Sequence, residues 1–521
     1  MKHLSEPLTR REFALGAASG TFALALSNKA AMGASYIGSG EDLASLTLAQ
    51  VASRLQARSV SSVDVVQACL NRISAYDKKI NSFITVCNEQ ALAEARALDA
   101  EAARGKFRSR LHGVPIALKD TIDTAGIRTT AASGIFADRV PTTDAEVVRK
   151  LKDAGAIIIG KLNLGELALD GTGAESNFGP CRNPWAIDRI TGGSSSGSGA
   201  ALAADFCYGT LGTDTGGSVR IPAAYCGVVG MRPTFGLVSV RGTMQVELSL
   251  DTCGPMARCV EDAALLLTTI SGYDKLDIIS VAHGAEDYTA SIRQSVSDIR
   301  VGIPRKPYFD DVDPEIAGNV ETALGVIGKL TRGMKDVTLP PDLSENIKVI
   351  SVPEIHTYHH RLQRQGFAAR YETFGKTDRK VHGLLLHPEN CTQVAGGICN
   401  EDLEAYVQLR WDLDMLRRTD DDAFSDFDVV VVPTTKTMPI PIADVLRSGV
   451  ANPTYTLLRN TLPFGFYGWP AISLPCGFST DGLPIGLMIA GPHFSERKLF
   501  ALAYAYEQAT SWLLKRPIGY L

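Results

Sequence analysis

The ten cysteines of this 521-residue chain include no Cys-x-x-Cys pair, so the sequence indicates neither a zinc ribbon nor a thioredoxin-type redox site. An excess of charge of one sign is also lacking. The 52 basic and 57 acidic side chains give a formal net charge of −5, which leaves no large basic surface for nucleic acid. No stretch has the roughly 20 apolar residues of a membrane helix. With 45% hydrophobic and 21% charged residues, this is an ordinary globular chain of enzyme size.

The N-terminus carries a pattern typical of exported proteins. Arg10 and Arg11 precede a weakly hydrophobic run over residues 14–26 that is too short to span roughly 30 Å of hydrocarbon. We therefore interpret residues 1–34 as a removable twin-arginine signal peptide, with a disordered or amphipathic tail as the alternative. This predicts a periplasmic or secreted protein made of residues 35–521, with no stable membrane insertion.

Helical and strand patterns alternate along the rest of the chain. Helices are predicted over residues 47–56, 62–76, 88–103, 143–154 and 495–510, and buried strands over residues 113–119, 156–160, 429–432, 470–475 and 484–489. The fourth helix is expected to begin with a capping box from Thr143 to Glu146. The alternation favours one large α/β domain with a covered sheet. Residues 300–425 are more polar and helical, and we assign substrate specificity largely to residues 300–470.

Three segments carry residues suited to amide chemistry. Lys119 ends an apolar strand pattern, and two glycine- and serine-rich segments cover residues 192–199 and 212–220. A serine among glycines lies beside unencumbered backbone N–H groups, which can stabilise an oxyanion. Serine needs a base, and His112 is the only histidine near these segments. A lysine made neutral by burial is the remaining candidate, which points to Lys119.

These segments resemble the amidase signature family of serine hydrolases. The resemblance rests on GVPIALKD, GGSSSGSG and GTDTGGSVR, with further matches in NFGPCRNPW, FDVVVVPTTKTMPIP and GWPAISLPCG. It runs from about residue 45 to the end and is weak between residues 300 and 425. Ser218 follows Ser194 by 24 positions, which matches the spacing of the two catalytic serines in the family. The family fold that this implies is a single α/β/α domain with a mixed central sheet covered by helices.

The resemblance also implies a role for each site residue. Ser218 is expected to form the acyl-enzyme, Ser194 to sit on a cis peptide bond and relay the proton, and Lys119 to be the final base. The oxyanion hole is expected at the N–H groups of Thr215, Gly216, Gly217 and Ser218. Asp214 and Arg220 are expected to brace this loop. The resemblance implies no cofactor and no metal.

Two positions depart from the family pattern. Ser196 stands where the family usually has glycine, and Gly465 stands where it usually has asparagine. The first adds a hydroxyl near the proton relay. The second removes any contacts that the asparagine would make.

Several other features have simpler interpretations. Residues 193–197 match the G-x-S-x-G nucleophile elbow, but a loop-like segment precedes them instead of a strand, and a phosphate-binding loop would need GK[ST]. His356 and His360 are expected at a surface or pocket rim and not on a metal. Residues 420–422 are expected to form an exposed turn. The aromatic residues Phe464, Phe466, Tyr467 and Trp469 are expected in the core, with the wall of the acyl pocket as the alternative.

The predicted function is an exported amidase that hydrolyses a small-molecule carboxylic acid amide through a serine acyl-enzyme, as a simple C–N amide hydrolase. The alternative is a glutaminase like the A subunit of an amidotransferase, releasing ammonia for tRNA-dependent amidation. A catalytically silent binding protein on the same scaffold is a third hypothesis. A homodimer is the default assembly, and no nucleic-acid partner is expected.

Overall fold

Uninterrupted apolar segments form the strands at the centre of the molecule. In the computed structural model, which describes residues 42–375, 400–447 and 452–517, Val429–Pro433 and Pro484–Ala490 are buried along their whole length. Such segments have no polar face to turn toward water, so they lie in the interior of a sheet that is covered on both sides. The prediction of buried strands at these positions is confirmed.

The main sheet in the described part of the chain has eleven strands in the order β1-β3-β2-β6-β8-β7-β12-β13-β11-β9-β10. The strands, with a separate hairpin of β4 and β5, are β1 Phe83–Val86, β2 Pro115–Lys119, β3 Ile157–Leu162, β4 Arg182–Asn183, β5 Ala186–Ile190, β6 Gly209–Asp214, β7 Val229–Arg232, β8 Thr252–Ala257, β9 Arg300–Ile303, β10 Gly333–Asp336, β11 Val429–Pro433, β12 Ala471–Phe478 and β13 Pro484–Ala490. Strands β3, β2 and β6 are parallel, as are β11, β9 and β10. The strands between these two groups pair antiparallel, so the sheet is mixed, as predicted.

Helices surround the sheet. They are α1 Leu48–Gln56, α2 Ser62–Ile80, α3 Asn88–Ala103, α4 Glu146–Asp153, α5 Ser196–Ala203, α6 Arg220–Cys226, α7 Val260–Ile270, α8 Arg305–Tyr308, α9 Pro314–Leu330, α10 Ile347–Leu362, α11 Ala368–Gly375, α12 Asn400–Thr419, α13 Ile442–Val445, α14 Thr454–Leu458, α15 Leu462–Tyr467 and α16 Glu496–Gln508. Thr47 caps α1 and Ser61 caps α2, each within a reciprocal capping box. The first three helices and α16 lie where the sequence predicts them.

The predicted capping box from Thr143 to Glu146 is wrong. Ala145 is the N-cap of α4, and it makes no side-chain cap. The Asp144 carboxylate instead accepts from the backbone N–H of Ala125 and pairs with Lys152. Glu146 pairs with Arg149 and Arg241. A capping box would need the Glu146 carboxylate to accept from the Thr143 N–H, and the two arginines hold that carboxylate instead.

Three further expectations need correction. The segment before residue 193, expected to be loop-like, contains the β4–β5 hairpin. The 300–425 region contributes β9 and β10 to the sheet in addition to its helices. Asp420 is buried rather than part of an exposed turn, because it begins a 3-10 helix, Asp420–Ser425, that packs Phe424 into the core.

The aromatic residues near the C-terminus lie in the core. Phe464, Tyr467 and Trp469 pack in one buried cluster, in which the Tyr467 and Trp469 rings stack with their centroids 4.2 Å apart. Phe466 packs in a neighbouring cluster with Leu462. Both clusters contain side chains of α15, so this helix is anchored in the core.

Residues 44–521 form one compact unit, whereas residues 1–43 form another, of which only the last two residues are described. The predicted signal peptide, 1–34, therefore lies outside the described residues. The eight described cysteines are free thiols, and Cys391 and Cys399 lie outside the described residues. Among the described helices, none combines the length and apolar character needed to cross a bilayer.

Candidate active site

Lys119 is the last residue of β2, and its side chain is completely buried. Its Nζ lies 2.7 Å from Ser194 Oγ and 2.8 Å from Thr213 Oγ1. Burial lowers the pKa of Lys119 to about 7, although the carboxylates of Asp251 and Asp214 act in the opposite direction. A substantial fraction of the amine is therefore neutral near neutral pH, which is what a base requires.

The peptide bond between Gly193 and Ser194 is cis, as the family resemblance implies. Gly193 has no room for a side chain, because a Cβ there would lie 2.5 Å from the carbonyl oxygen of Asp170. The neighbouring Ser195 N–H donates to the carbonyl of Ser218 at 3.2 Å. This bond joins the two glycine- and serine-rich segments, so Ser194 and Ser218 belong to one site.

The loop from Thr215 to Ser218 follows β6 and precedes α6. Within the described part of the chain, the four backbone N–H groups of this loop have no hydrogen-bond acceptor. Gly217 has φ +147°, and a Cβ there would lie 2.2 Å from Thr461 Oγ1. A free row of N–H groups beside a serine is the arrangement that an oxyanion hole needs.

Asp214 holds the base of this loop through two arginines. Its carboxylate pairs with Arg220 at 2.8 Å and Arg232 at 3.0 Å, and all three side chains are fully buried. It also accepts from the backbone N–H of Val219. Burial alone would raise the pKa of Asp214, but the two guanidinium groups outweigh burial and hold it well below its usual range. Asp214 and Arg220 thus brace the loop, and Arg232 is a third member that the sequence did not reveal.

Thr461 and Asp251 also hold the loop, and sequence reasoning missed both. Thr461, which precedes α15, donates from Oγ1 to the carbonyl of Gly216 at 2.6 Å, and its own carbonyl accepts from Arg220. Asp251 accepts from Thr215 Oγ1 at 2.5 Å. These contacts join positions far apart in the chain, so no local motif announces them, and the sequence carries no other signal for either residue.

The two departures from the family pattern leave the lysine and the serines in place. The Ser196 hydroxyl donates to the carbonyl of Asn163 at 3.3 Å. Gly465 lies against the loop, where a Cβ would come within 2.7 Å of the carbonyl oxygen of Thr215. A larger residue at 465 would require this backbone to move.

A cavity of about 240 Å³ opens beside the loop. Its walls are mainly apolar, and its polar members include Ser218 and Glu247. Its lining residues are Ala168, Leu169, Gly171, Thr215, Gly216, Ser218, Val246, Glu247, Ile347, Ser351, Ile355, Asn452, Thr454, Tyr455, Leu458 and Leu462. No lysine or arginine is among the described residues of this lining.

The described histidines give little indication of a metal centre. His356 and His360 lie one turn apart on α10 with ring centroids 5.8 Å apart, and burial lowers the pKa of His356. Asp420, Asp421 and His493 are the one group of three in the described chain whose ligand atoms lie close enough to share an ion. There His493 Nδ1 lies 3.0 Å from Asp421 Oδ1, a distance that a hydrogen bond between them accounts for without a metal. His112 is buried away from this chemistry, with its Nε2 3.0 Å from the carbonyl of Leu98.

The model of the family described as Amidase matches residues 64–500. The chain belongs to the amidase family. The A subunit of glutamyl-tRNA(Gln) amidotransferase from Moorella thermoacetica is 37% identical over 483 residues, which cover 91% of this chain and 98% of that protein.

Solved structures agree with this membership. Peptide amidase from Stenotrophomonas maltophilia is 32% identical with a TM-score of 0.78, covering 91% of this chain and 98% of the other. The A subunit of glutamyl-tRNA(Gln) amidotransferase from Thermotoga maritima is 30% identical with a TM-score of 0.71, covering 90% of this chain and 96% of the other. These likenesses confirm the predicted α/β fold with its mixed, helix-covered sheet.

The predicted periplasmic or secreted location is wrong in the light of these relatives. Several of the similar curated proteins, from different bacteria, are named as the A subunit of glutamyl-tRNA(Gln) amidotransferase. Charged tRNA is used in the cytoplasm, so these names point there and not to an exported enzyme. The predicted homodimer stays a prediction.

Proposed function

We propose that this member of the amidase family hydrolyses the C–N bond of a carboxamide through an acyl-enzyme on Ser218. The observation that carries the proposal is the 2.7 Å contact between the buried Lys119 Nζ and Ser194 Oγ, in a segment bonded to the carbonyl of Ser218. In the neutral state, Nζ has a lone pair that accepts the Ser194 proton. Ser194 in turn takes the proton of Ser218.

The reaction follows from these positions. Ser218 Oγ attacks the amide carbonyl, and the resulting oxyanion is received by the free N–H groups of the loop from Thr215 to Ser218. The proton held by Lys119 returns through Ser194 to the leaving nitrogen as the C–N bond breaks. Water then repeats the attack on the ester, and the acid is released.

The leading candidate substrate is glutamine, in a reaction that releases ammonia as the A subunit of an amidotransferase would. This is supported by the 37% identity to the Moorella protein over nearly its whole length. The proposal replaces the exported simple amidase as the preferred function.

A small, apolar amide is the second candidate, because the cavity favours it. Leucine, isoleucine and valine side chains make up much of the wall beside Ser218. In the described lining, a substrate carboxylate such as that of glutamine would meet no basic side chain. An apolar acyl chain would gain about 25 cal/mol per Å² of surface that it buries there.

One experiment tests the proposal and separates these candidates. Ammonia release from glutamine, short aliphatic amides and aryl amides is measured for the wild type and for Ser218→Ala, with Ser198→Ala as the matched control. Ser198 lies in α5 with a buried hydroxyl that has no hydrogen-bond partner in the described chain. We expect Ser218→Ala to lose at least about 10³-fold in kcat, and Lys119→Ala to lose nearly as much, because the relay acts as a unit.

The control variant should keep wild-type rates and unchanged unfolding. A Ser218→Ala enzyme that still turned over at the wild-type rate would refute the acyl-enzyme. Turnover of glutamine alone would select the amidotransferase-like function, and turnover of apolar amides alone would select the second candidate. A folded wild type whose Ser218 fails to react with a fluorophosphonate probe would favour the silent binding protein.

A further inference from the structure

Glu247 lies in the wall of the same cavity as Ser218, and its side chain has an incomplete set of hydrogen bonds. It is 6% exposed and sits in the chain segment between β7 and β8. Its Oε1 accepts from Ser351 Oγ at 2.5 Å, across from α10. Its Oε2 is buried and has no partner in the described part of the chain.

A buried carboxyl oxygen that makes no hydrogen bond with the protein is costly, so a donor placed in the cavity would stabilise it. The backbone around it is well ordered by other bonds: the N–H groups of Val246 and Glu247 both donate to Asp251 Oδ2. The fold therefore holds Glu247 in place without completing its hydrogen bonds. A substrate in the cavity can supply the missing partner.

The charges around Glu247 decide the kind of partner. Burial raises the pKa of Glu247 to about 8 against the hydrogen bond from Ser351, and its charged neighbours Asp251 and Glu354 act in the same direction as burial. Glu354 is itself compensated by Arg410 at 3.0 Å. The negative potential that opposes ionisation of Glu247 also attracts a cation, and contact with that cation favours the carboxylate.

We propose that Glu247 forms an acidic subsite of the acyl pocket that binds a protonated amino group of the substrate, so that amino amides are the preferred substrate class. This inference rests on the proposed function, since it concerns the substrate of the same site. It narrows that function to amides with a positively charged group. Glutamine meets this through its amino group, whereas its carboxylate finds no basic side chain in the described lining, so an amino amide without a carboxylate should be preferred over glutamine.

The test compares three amides of similar length: 6-aminohexanamide, which is cationic, hexanamide, which is neutral, and the monoamide of adipic acid, which is anionic. The readout is the ratio of kcat/KM for the cationic amide to that for the neutral one. We expect a ratio of at least about ten in the wild type, the size of one charge-assisted hydrogen bond, and the lowest kcat/KM for the anionic amide. Glu247→Gln should bring the ratio near one.

Two variants serve as controls. Glu345→Gln removes the same charge from an exposed turn and should keep the wild-type ratio. Ser351→Ala removes the hydroxyl that bonds Oε1 but leaves the carboxyl, so it should keep a preference for the cation. If Glu247→Gln left the ratio unchanged, or if Glu345→Gln abolished it equally, the acidic subsite would be refuted.

Binding is measured separately from turnover. In the Ser218→Ala background, 6-aminohexanamide should raise the Tm more than hexanamide, and adding Glu247→Gln should remove the difference. Cation-selective binding without turnover in the wild type would refute the hydrolase while supporting the subsite. Hydrolysis of hexanamide with neither a cation preference nor a selective Tm shift would refute the subsite while supporting the hydrolase.

Discussion

A lysine side chain in water is protonated near neutral pH, whereas a large fraction of Lys119 is uncharged there. Complete burial at the end of β2 lowers its pKa to about 7, and the hydroxyls of Ser194 and Thr213 are its close polar contacts. Neither hydroxyl carries a charge that would hold the proton. The proposed role of Lys119 as a base therefore depends on its surroundings and not on its residue type.

The pH profile of the reaction should report this ionisation. The neutral amine is the active form, and its fraction grows as pH rises through the pKa, so kcat/KM should be half-maximal near pH 7 and level off about one to two pH units higher. Hexanamide is the suitable substrate, because its own charge does not change between about pH 5 and pH 9. The inflection should persist in Glu247→Gln, since that carboxyl is not the base. A flat profile, or a fall with rising pH, would contradict Lys119 as the base.

At the scale of elements, the site is built where β2, β6, α5 and α6 come together. Strand β2 supplies Lys119, α5 begins just after Ser194, and the link from β6 to α6 supplies Ser218. The pairing of β2 with β6 is parallel, so both strands end at the same edge of the sheet. Asp214, the last residue of β6, anchors the link through arginines on α6 and β7.

Replacing Asp214 with asparagine should therefore destabilise the fold. The amide cannot neutralise Arg220 and Arg232, and leaving buried charges without a counter-ion costs roughly 3–5 kcal/mol. Denaturant unfolding of Asp214→Asn measures this loss, with Asp138→Asn as the control. Asp138 pairs with Arg370 at the exposed surface, so its loss should leave the free energy of unfolding nearly unchanged. Equal stability of Asp214→Asn and the wild type would contradict the bracing role.

Sequence and structure agree best where the information is local. Apolar runs such as 429–432 predict buried strands, and the glycine- and serine-rich segments predict the loops around Ser194 and Ser218. The contacts that complete the site were not predictable, because Arg232 and Thr461 reach it from elements remote in the chain. The local pattern was also misleading at Thr143–Glu146, where Arg149 and Arg241 hold the Glu146 carboxylate that a capping box would use.

For the whole molecule, burying Lys119 has a cost in stability that depends on pH. The unfolded chain keeps the Lys119 proton up to about its ordinary pKa of 10.5, whereas the folded chain releases it near 7. Below the folded pKa both states are protonated, and the full cost of burying the ammonium is present. Between these two values the unfolded state binds more protons, so stability rises with pH.

Lys119→Met should remove this dependence while abolishing activity. The free energy of unfolding of the variant minus that of the wild type should fall as pH rises from about 7 to 10, with a limiting slope of about 1.4 kcal/mol per pH unit. Ser194→Ala, which keeps the ammonium but removes a catalytic hydroxyl, should retain the wild-type slope. If the slopes of Lys119→Met and the wild type were the same, Lys119 would keep its ordinary pKa in the folded protein. It would then be fully protonated near neutral pH, and the proton relay through Ser194 would have no base at its end.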